Sequence, residues 1–296
     1  MKINSNGKFD DWPMLRQMIL LIIVLIFNGC KSTETVSLVE VYPSPEIRVA
    51  FDSFTNIHYG KNRSLPGWQT TQTAIETTLT LWYDRLQVRQ TVVDGTPADL
   101  KNFLFNLPKS DECDISVVYL GSIQGDSGDW EFTRGQRVNW RNLLAVAPPP
   151  KHPRRIVILD ACHAAAVSGI PDWSKRFAEI TLLASNATEL TYQFSPSALA
   201  PIDLQKQCPF AWAWGQTHLP LAWSKQISFL GVMWLETTAK TTLPPANTAD
   251  WEKFFYICCQ NAANFRQSVS RRWSSTMQVL PPSQSDAPSI LSKKKL

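Results

Sequence analysis

The chain reads as an α/β protein, a three-layer sandwich with helices on both sides of a mostly parallel sheet, and three features of the sequence predict it. Short apolar runs recur along the chain. Segments with helical spacing stand between them. Most of the runs are continuously apolar rather than alternating, which suits strands covered by helices on both faces.

In chain order, Ile47-Arg48-Val49-Ala50-Phe51 is the first predicted strand. Gly67 to Leu86 follows as a helix, with Ile75, Leu79, Trp82 and Leu86 recurring on one face at three- and four-residue intervals. Val88 to Val93 is a second strand closed by Asp94-Gly95. Thr96-Pro97-Ala98-Asp99 then starts a short helix that runs on from Leu100 to Leu107, with Thr96 as cap and Pro97 in the first turn, where its missing N–H costs nothing. Ile115 to Leu120 is the next strand, and Arg155 to Asp160 is another after the Pro148-Pro149-Pro150 loop. Glu179 to Ser185 makes a fifth. Beyond Phe194 the signal changes. The stretch to Leu221 is rich in Pro and Trp and reads as irregular, Ile227 to Glu236 is apolar, and Asp250 to Phe265 is a helix carrying Trp251, Phe254, Phe255, Ile257 and Cys258.

Composition narrows the function classes. With 296 residues, 44% hydrophobic and 18% charged, the chain can bury a full core. The net charge is only +4, and the basic residues Arg271, Arg272 and Lys293 to Lys295 fall in a polar C-terminal stretch. The 12 tryptophans stand among neutral residues rather than interleaved with basic ones, which excludes a nucleic-acid groove. The six cysteines include no CxxC pair and no His at ligand spacing, so neither a zinc site nor a disulfide framework is expected, and no metal or cofactor is called for. A single pair involving Cys208 or Cys113 stays open in an oxidising compartment. Gly125 to Phe132 looks like a cation loop in composition but lacks the EF-hand spacing and reads as a tight hairpin.

Residues 1–30 read as an export signal. Lys2, Lys8 and Arg16 precede the apolar run Met18 to Phe27, which is too short for the ~20 residues of a spanning helix and stops at Asn28-Gly29-Cys30. A small residue followed by Cys resembles the bacterial lipobox, which implies acylation of Cys30; Phe27 and Asn28 depart from the usual residues there. An uncleaved anchor or an ordinary cleaved signal would export the domain equally. Residues 31–44 are a polar tether, 45–270 the folded domain, and 271–296 a polar tail whose Pro/Ser-rich end reads as disordered. The expected location is the cell envelope, on the exported side, with the N-terminus as membrane anchor.

In an open parallel sheet, ligands gather at the carboxyl ends of the strands. Ile158-Leu159-Asp160-Ala161-Cys162-His163 places a thiol at such an end. This segment resembles the D-x-C-H that carries the nucleophile in caspase-like and metacaspase-like cysteine peptidases. In that family the preceding strand, Y-x-G-H-G, holds the catalytic His about 40 to 50 residues upstream. Here the strand is VVYLGSIQG, and the likeness extends over residues 45–265. The resemblance implies a caspase-like fold, Cys162 as nucleophile with its backbone N–H as half of an oxyanion hole, and Asp160 as the acidic lining of a pocket for Lys or Arg.

The histidine is missing. Ser122 or Ile123 occupies its position, depending on how the strand is slid, and neither accepts a proton at neutral pH. Ala164-Ala165 replaces the family's Ser-Gly, and Ile123 or Gln124 stands where Gly lets the backbone approach the substrate carbonyl. Relocated bases to consider are His163, His58, His152 and His218. Three functions follow: a degenerate domain that binds a peptide or protein without cutting it, an active cysteine endopeptidase with a relocated base, or a structural envelope lipoprotein. A thiol of low pKa beside a His favours the enzyme. An open cleft lined by Asp160 favours binding, and a cleft filled by Trp212, Trp214 or Trp223 favours the structural role.

Overall fold

The structure is a computed structural model and describes residues 44, 46–59, 63–125, 127–132, 135–170, 173–195, 202–219, 225–269 and 274–280. The signal segment with Cys30, residues 31–43 of the tether, Trp223 and the tail beyond residue 280 lie outside the described residues.

The central sheet begins with β1 (Arg48–Thr55), which leads through the small hairpin of β2 (His58–Tyr59) and β3 (Arg63–Ser64) into helix α1 (Gly67–Trp82). The chain leaves α1 at Tyr83, whose extended backbone feeds β4 (Arg85–Val93). Leu86, expected on the helix face, therefore belongs to the strand. Helix α2 (Pro97–Phe105) begins as its residues dictate, with the Thr96 and Asp99 side chains each bonding the other's backbone N–H in a capping box. Then come β5 (Ile115–Gln124), the hairpin of β6 (Asp129–Glu131) and β7 (Arg137–Asn139), helix α3 (Trp140–Val146) and β8 (Arg155–Ala161). A 3-10 helix (Ala164–Gly169) and a π-helical turn (Trp173–Phe177) lead into β9 (Ile180–Leu183).

The region that reads as irregular is largely helical. The two-residue strand β10 (Gln193–Phe194) is followed by α4 (Leu204–Gln207) and α5 (Pro209–His218), the latter opening on a proline at its first position. β11 (Ile227–Ser228) then enters α6 (Phe229–Thr238), whose ten residues are all buried, so its apolar run has no amphipathic period to betray a helix. Helix α7 (Thr248–Ser268) and strand β12 (Gln278–Leu280) complete the fold.

The main sheet has the order β12-β9-β8-β5-β1-β4. Its neighbours are parallel except the last pair, β9 with β12. Alternating residues of each strand serve two separate cores. Phe51, Val117, Tyr119, Ile156 and Ile158 face α1, α6 and α7, whereas Phe54, Val118, Leu120, Val157 and Leu159 face α2, α3 and the β6–β7 hairpin. This is the predicted α/β three-layer sandwich. Tryptophan fills both layers: Trp82, Trp234 and Trp251 cluster with Phe254 on one side, and Trp130, Trp140 and Trp173 with Phe177 on the other. No helix among the described residues is long and apolar enough to cross a membrane.

Candidate functional site at the carboxyl ends of the central strands

The site is built where β5 and β8 end side by side. Gly121 lies opposite Asp160 and Ser122 opposite Ala161, so Cys162 and His163 leave β8 next to Ile123 and Gln124. The strand stops because His163 turns into the left-handed region, with φ 52° and ψ 30°. Ser185 ties the turn that follows. Its hydroxyl donates to the Ala161 carbonyl and accepts the Ala164 N–H, both at 3.0 Å, while its carbonyl accepts the Ala165 N–H.

Cys162 is a free thiol, 8% exposed. Burial pushes its pKa up from the ordinary thiol value; the backbone N–H of Thr191 works against that shift and the nearby Asp160 adds to it. The histidines expected as possible bases hold other partners. His163 Nδ1–H donates to the Ala187 carbonyl at 3.0 Å, and its backbone N–H to that of Glu189. His218 donates to the Trp214 carbonyl and stacks on the Trp214 ring. His58 pairs with Asp94 at 2.6 Å. His152 lies at the opposite end of the strands, before β8, against Cys113. Among the described residues no imidazole is hydrogen-bonded to Cys162.

The two positions expected to replace the catalytic histidine are both in β5 but do different things. The Ser122 hydroxyl is buried and donates to the Glu131 carbonyl at 3.3 Å, while Ile123 is half-buried and pairs with Glu131 across the β5–β6 ladder. The β5 side chain that reaches the Cys162 segment is Gln124, whose amide donates to the His163 carbonyl at 2.9 Å. From the sequence, Gln124 stands out only for its backbone position. The available signal was its place next to Gly125, where the strand turns back: Gly125 N–H bonds the Asp129 carbonyl, and Gly128 has φ +81°. That stretch is a tight turn, as its composition without the EF-hand spacing implied. The Asp129 carboxylate is held by Ser127 and Asn139.

Asp160 is fully buried rather than set in an open pocket. One carboxylate oxygen accepts the Tyr119 hydroxyl at 3.0 Å and the Ser228 hydroxyl at 2.5 Å. Burial raises its pKa to about 6 against the lowering effect of the Ser228 and Tyr119 hydroxyls. Ser228 also caps α6 through the Gly231 N–H and meets the Thr71 hydroxyl at 2.8 Å, which links α1 and α6 over the strand ends. Above this network lies Trp68, itself fully buried, so close to Gly121 that a Cβ there would stand 3.1 Å from the Trp68 side chain and 3.0 Å from the Tyr119 hydroxyl. A side chain at 121 would therefore press Trp68 and the Tyr119 hydroxyl outward by a few tenths of an ångström.

Among the described residues, the roof over Asp160 is Trp68. Trp214 is buried in the core with Trp212 packed against the same cluster. Two shallow cavities, of 270 and 260 Å³, lie elsewhere: one between Ser127, Arg141 and Ala166, the other beside His152 and Phe177.

No protein-family model matches the sequence, and no curated protein matches it either. Among solved structures, the chain is similar to a caspase-1 from Spodoptera frugiperda, with 9% identity, a TM-score of 0.49 and coverage of 84% of this chain and 92% of that one.

Proposed function

We propose that the protein is a caspase-like domain, tethered to the bacterial envelope by its N-terminal segment, that has lost peptide-cleaving chemistry; with Asp160 buried instead of lining an open cleft, a structural envelope role is favoured over peptide binding at this site. The observation that carries this reading is the state of Cys162. It stands where the D-x-C-H resemblance puts a nucleophile, at the end of a central parallel strand, yet its thiol is buried, its pKa is raised, and no imidazole among the described residues bonds it. Even a solvated thiol of pKa about 8.5 is only a few per cent thiolate at pH 7. Without a histidine the leaving amine also lacks its general acid, a contribution of roughly 10²–10⁴-fold. With Asp160 fully buried and its carboxylate bonded to Tyr119 and Ser228, it does not line an open pocket for a basic side chain.

The test is the pH dependence of Cys162 alkylation in the soluble domain beginning at Lys31, followed peptide by peptide with Cys162→Ala as control. A thiol that reacts only as the pH climbs past that of a free cysteine, about 8.5, is expected. Rapid reaction well below pH 7 would overturn the proposal and establish an activated nucleophile. The tether has its own test in the full chain: Cys30→Ala should move the protein out of membrane fractions, and unchanged retention defeats the lipid anchor.

A further inference from the structure

We infer that Gln124 is a positioning residue: its side-chain amide latches the Cys162–His163 turn in the conformation that keeps the thiol inside. Three observations converge on it. The first is the strain in the turn. His163 has φ 52°, and the only other non-glycine residue with positive φ among those described is Asp94. A residue with a Cβ avoids this region unless its surroundings impose it.

The second is how the turn is imposed. The His163 backbone is gripped at both polar groups: its N–H bonds the Glu189 carbonyl at 2.8 Å, and its carbonyl accepts both the Gln124 amide and the Ala166 N–H at 2.9 Å. The Glu189 bond ties His163 to the loop after β9, the Gln124 bond to the end of β5. Glu189 is in turn fixed by Arg266 and the Thr276 N–H. The turn is therefore held between two separate parts of the fold, and Gln124 is its side-chain clamp from β5, beside the Ser185 hydroxyl and the His163 imidazole on the other side.

The third is the amide itself. Gln124 is 1% exposed, and its side-chain oxygen is buried without a hydrogen-bond partner among the described residues. A glutamine seated there only to satisfy itself would be poorly served. The His163 carbonyl dictates the orientation, because only the NH₂ end can face an acceptor. Losing the Gln124 bond removes the hold of β5 on the turn and leaves that carbonyl to the Ala166 N–H alone, which eases relaxation out of the left-handed region; Cys162 is the residue directly before it.

This inference deepens the reading of Cys162 as a retired nucleophile position, and the two fail separately. The experiment is cysteine-resolved alkylation by mass spectrometry, at fixed pH, in the wild-type domain, Gln124→Ala and Gln124→Ala/His163→Gly. Gln124→Ala is expected to speed Cys162 modification by about tenfold, the equilibrium effect of one ordinary hydrogen bond. Buried Cys113 and Cys258 should keep their wild-type rates, since the opening is local. Adding His163→Gly should slow Cys162 again, because glycine holds a positive φ without the clamp. Wild-type rates in Gln124→Ala overturn the latch, as does an acceleration shared by Cys113 and Cys258, or a double variant that reacts as fast as the single one. A wild-type thiol already fast below pH 7 defeats the retired-nucleophile reading instead.

Discussion

The two ends of the sheet each carry a cysteine, and the contrast between them shows what a catalytic pair needs beyond its residue types. At the amino ends, Cys113 precedes β5 and His152 precedes β8, and the thiol meets the imidazole at 3.4 Å. At the carboxyl ends, Cys162 follows the last residue of β8 and has no imidazole partner among the described residues. The amino-end pair is nonetheless inert by construction. His152 Nδ1 accepts the Arg154 N–H, so Nε2 carries the proton, which goes to the Cys113 carbonyl at 3.2 Å. Its basic lone pair is committed to the backbone. Burial lowers the His152 pKa and pushes the Cys113 thiol up to about 11, so both groups stay neutral. A Cys and a His in contact are a structural staple when the imidazole is spent on carbonyl and amide groups.

The sharpest way to break the contrast is to remove the roof at the carboxyl end. Trp68→Ala deletes a fully buried indole and should cost about 3–5 kcal/mol in urea denaturation. It should also admit alkylating reagent to Cys162 while leaving Cys113 slow. Equal acceleration at both cysteines would mean that the roof supports the whole fold rather than one end.

Asp160→Asn probes the buried carboxylate with a smaller effect. The folded-state pKa of about 6 lies above the ordinary 3.8, so Asp160 favours folding most below pH 4, and that contribution is lost as the pH rises through about 6. The neutral amide does not titrate. Relative to wild type, Asp160→Asn should therefore gain up to about 3 kcal/mol of stability between pH 4 and pH 8, read from paired denaturation curves. A difference that stays flat with pH would show that Asp160 titrates normally and is better solvated than its burial implies.

The smallest change is expected at the amino end. His152→Ala leaves the Arg154 N–H and the Cys113 carbonyl without their imidazole and should cost about 1–3 kcal/mol. Cys162 alkylation should be unchanged across its pH profile. A shift in that profile would make His152 a remote base and erase the distinction between the two ends.

Much of the sheet was legible because buried strands announce themselves as apolar runs and because turn chemistry is local. Thr96-Pro97 with Asp99 forms its cap from residues within one turn of each other. The misses have equally physical causes. Leu86 continues the apolar spacing of α1, but the helix ends at Trp82 and the residue packs as part of β4 instead. Helices α5 and α6 were hidden because one is masked by Pro and Trp and the other is buried all round, so neither shows an amphipathic stripe. Ser122, Ile123 and Gln124 follow one another in β5, and only the pairing with β8 and the turn at His163 distinguish the one whose side chain reaches the Cys162 segment.

The sequence by itself determined the strand and helix alternation, the place of Cys162 at a strand end and the lack of a histidine where the family resemblance requires one, because each depends on residue type or short-range spacing. The tertiary structure decided the rest. Whether Asp160 faces solvent or Trp68, whether His152 serves a thiol or a backbone, and which β5 side chain holds the Cys162 turn all depend on contacts between segments 39 to 68 residues apart. Hydrogen bonds and desolvation act through space, and a thiol's reactivity is set by what is packed around it rather than by its neighbours along the chain.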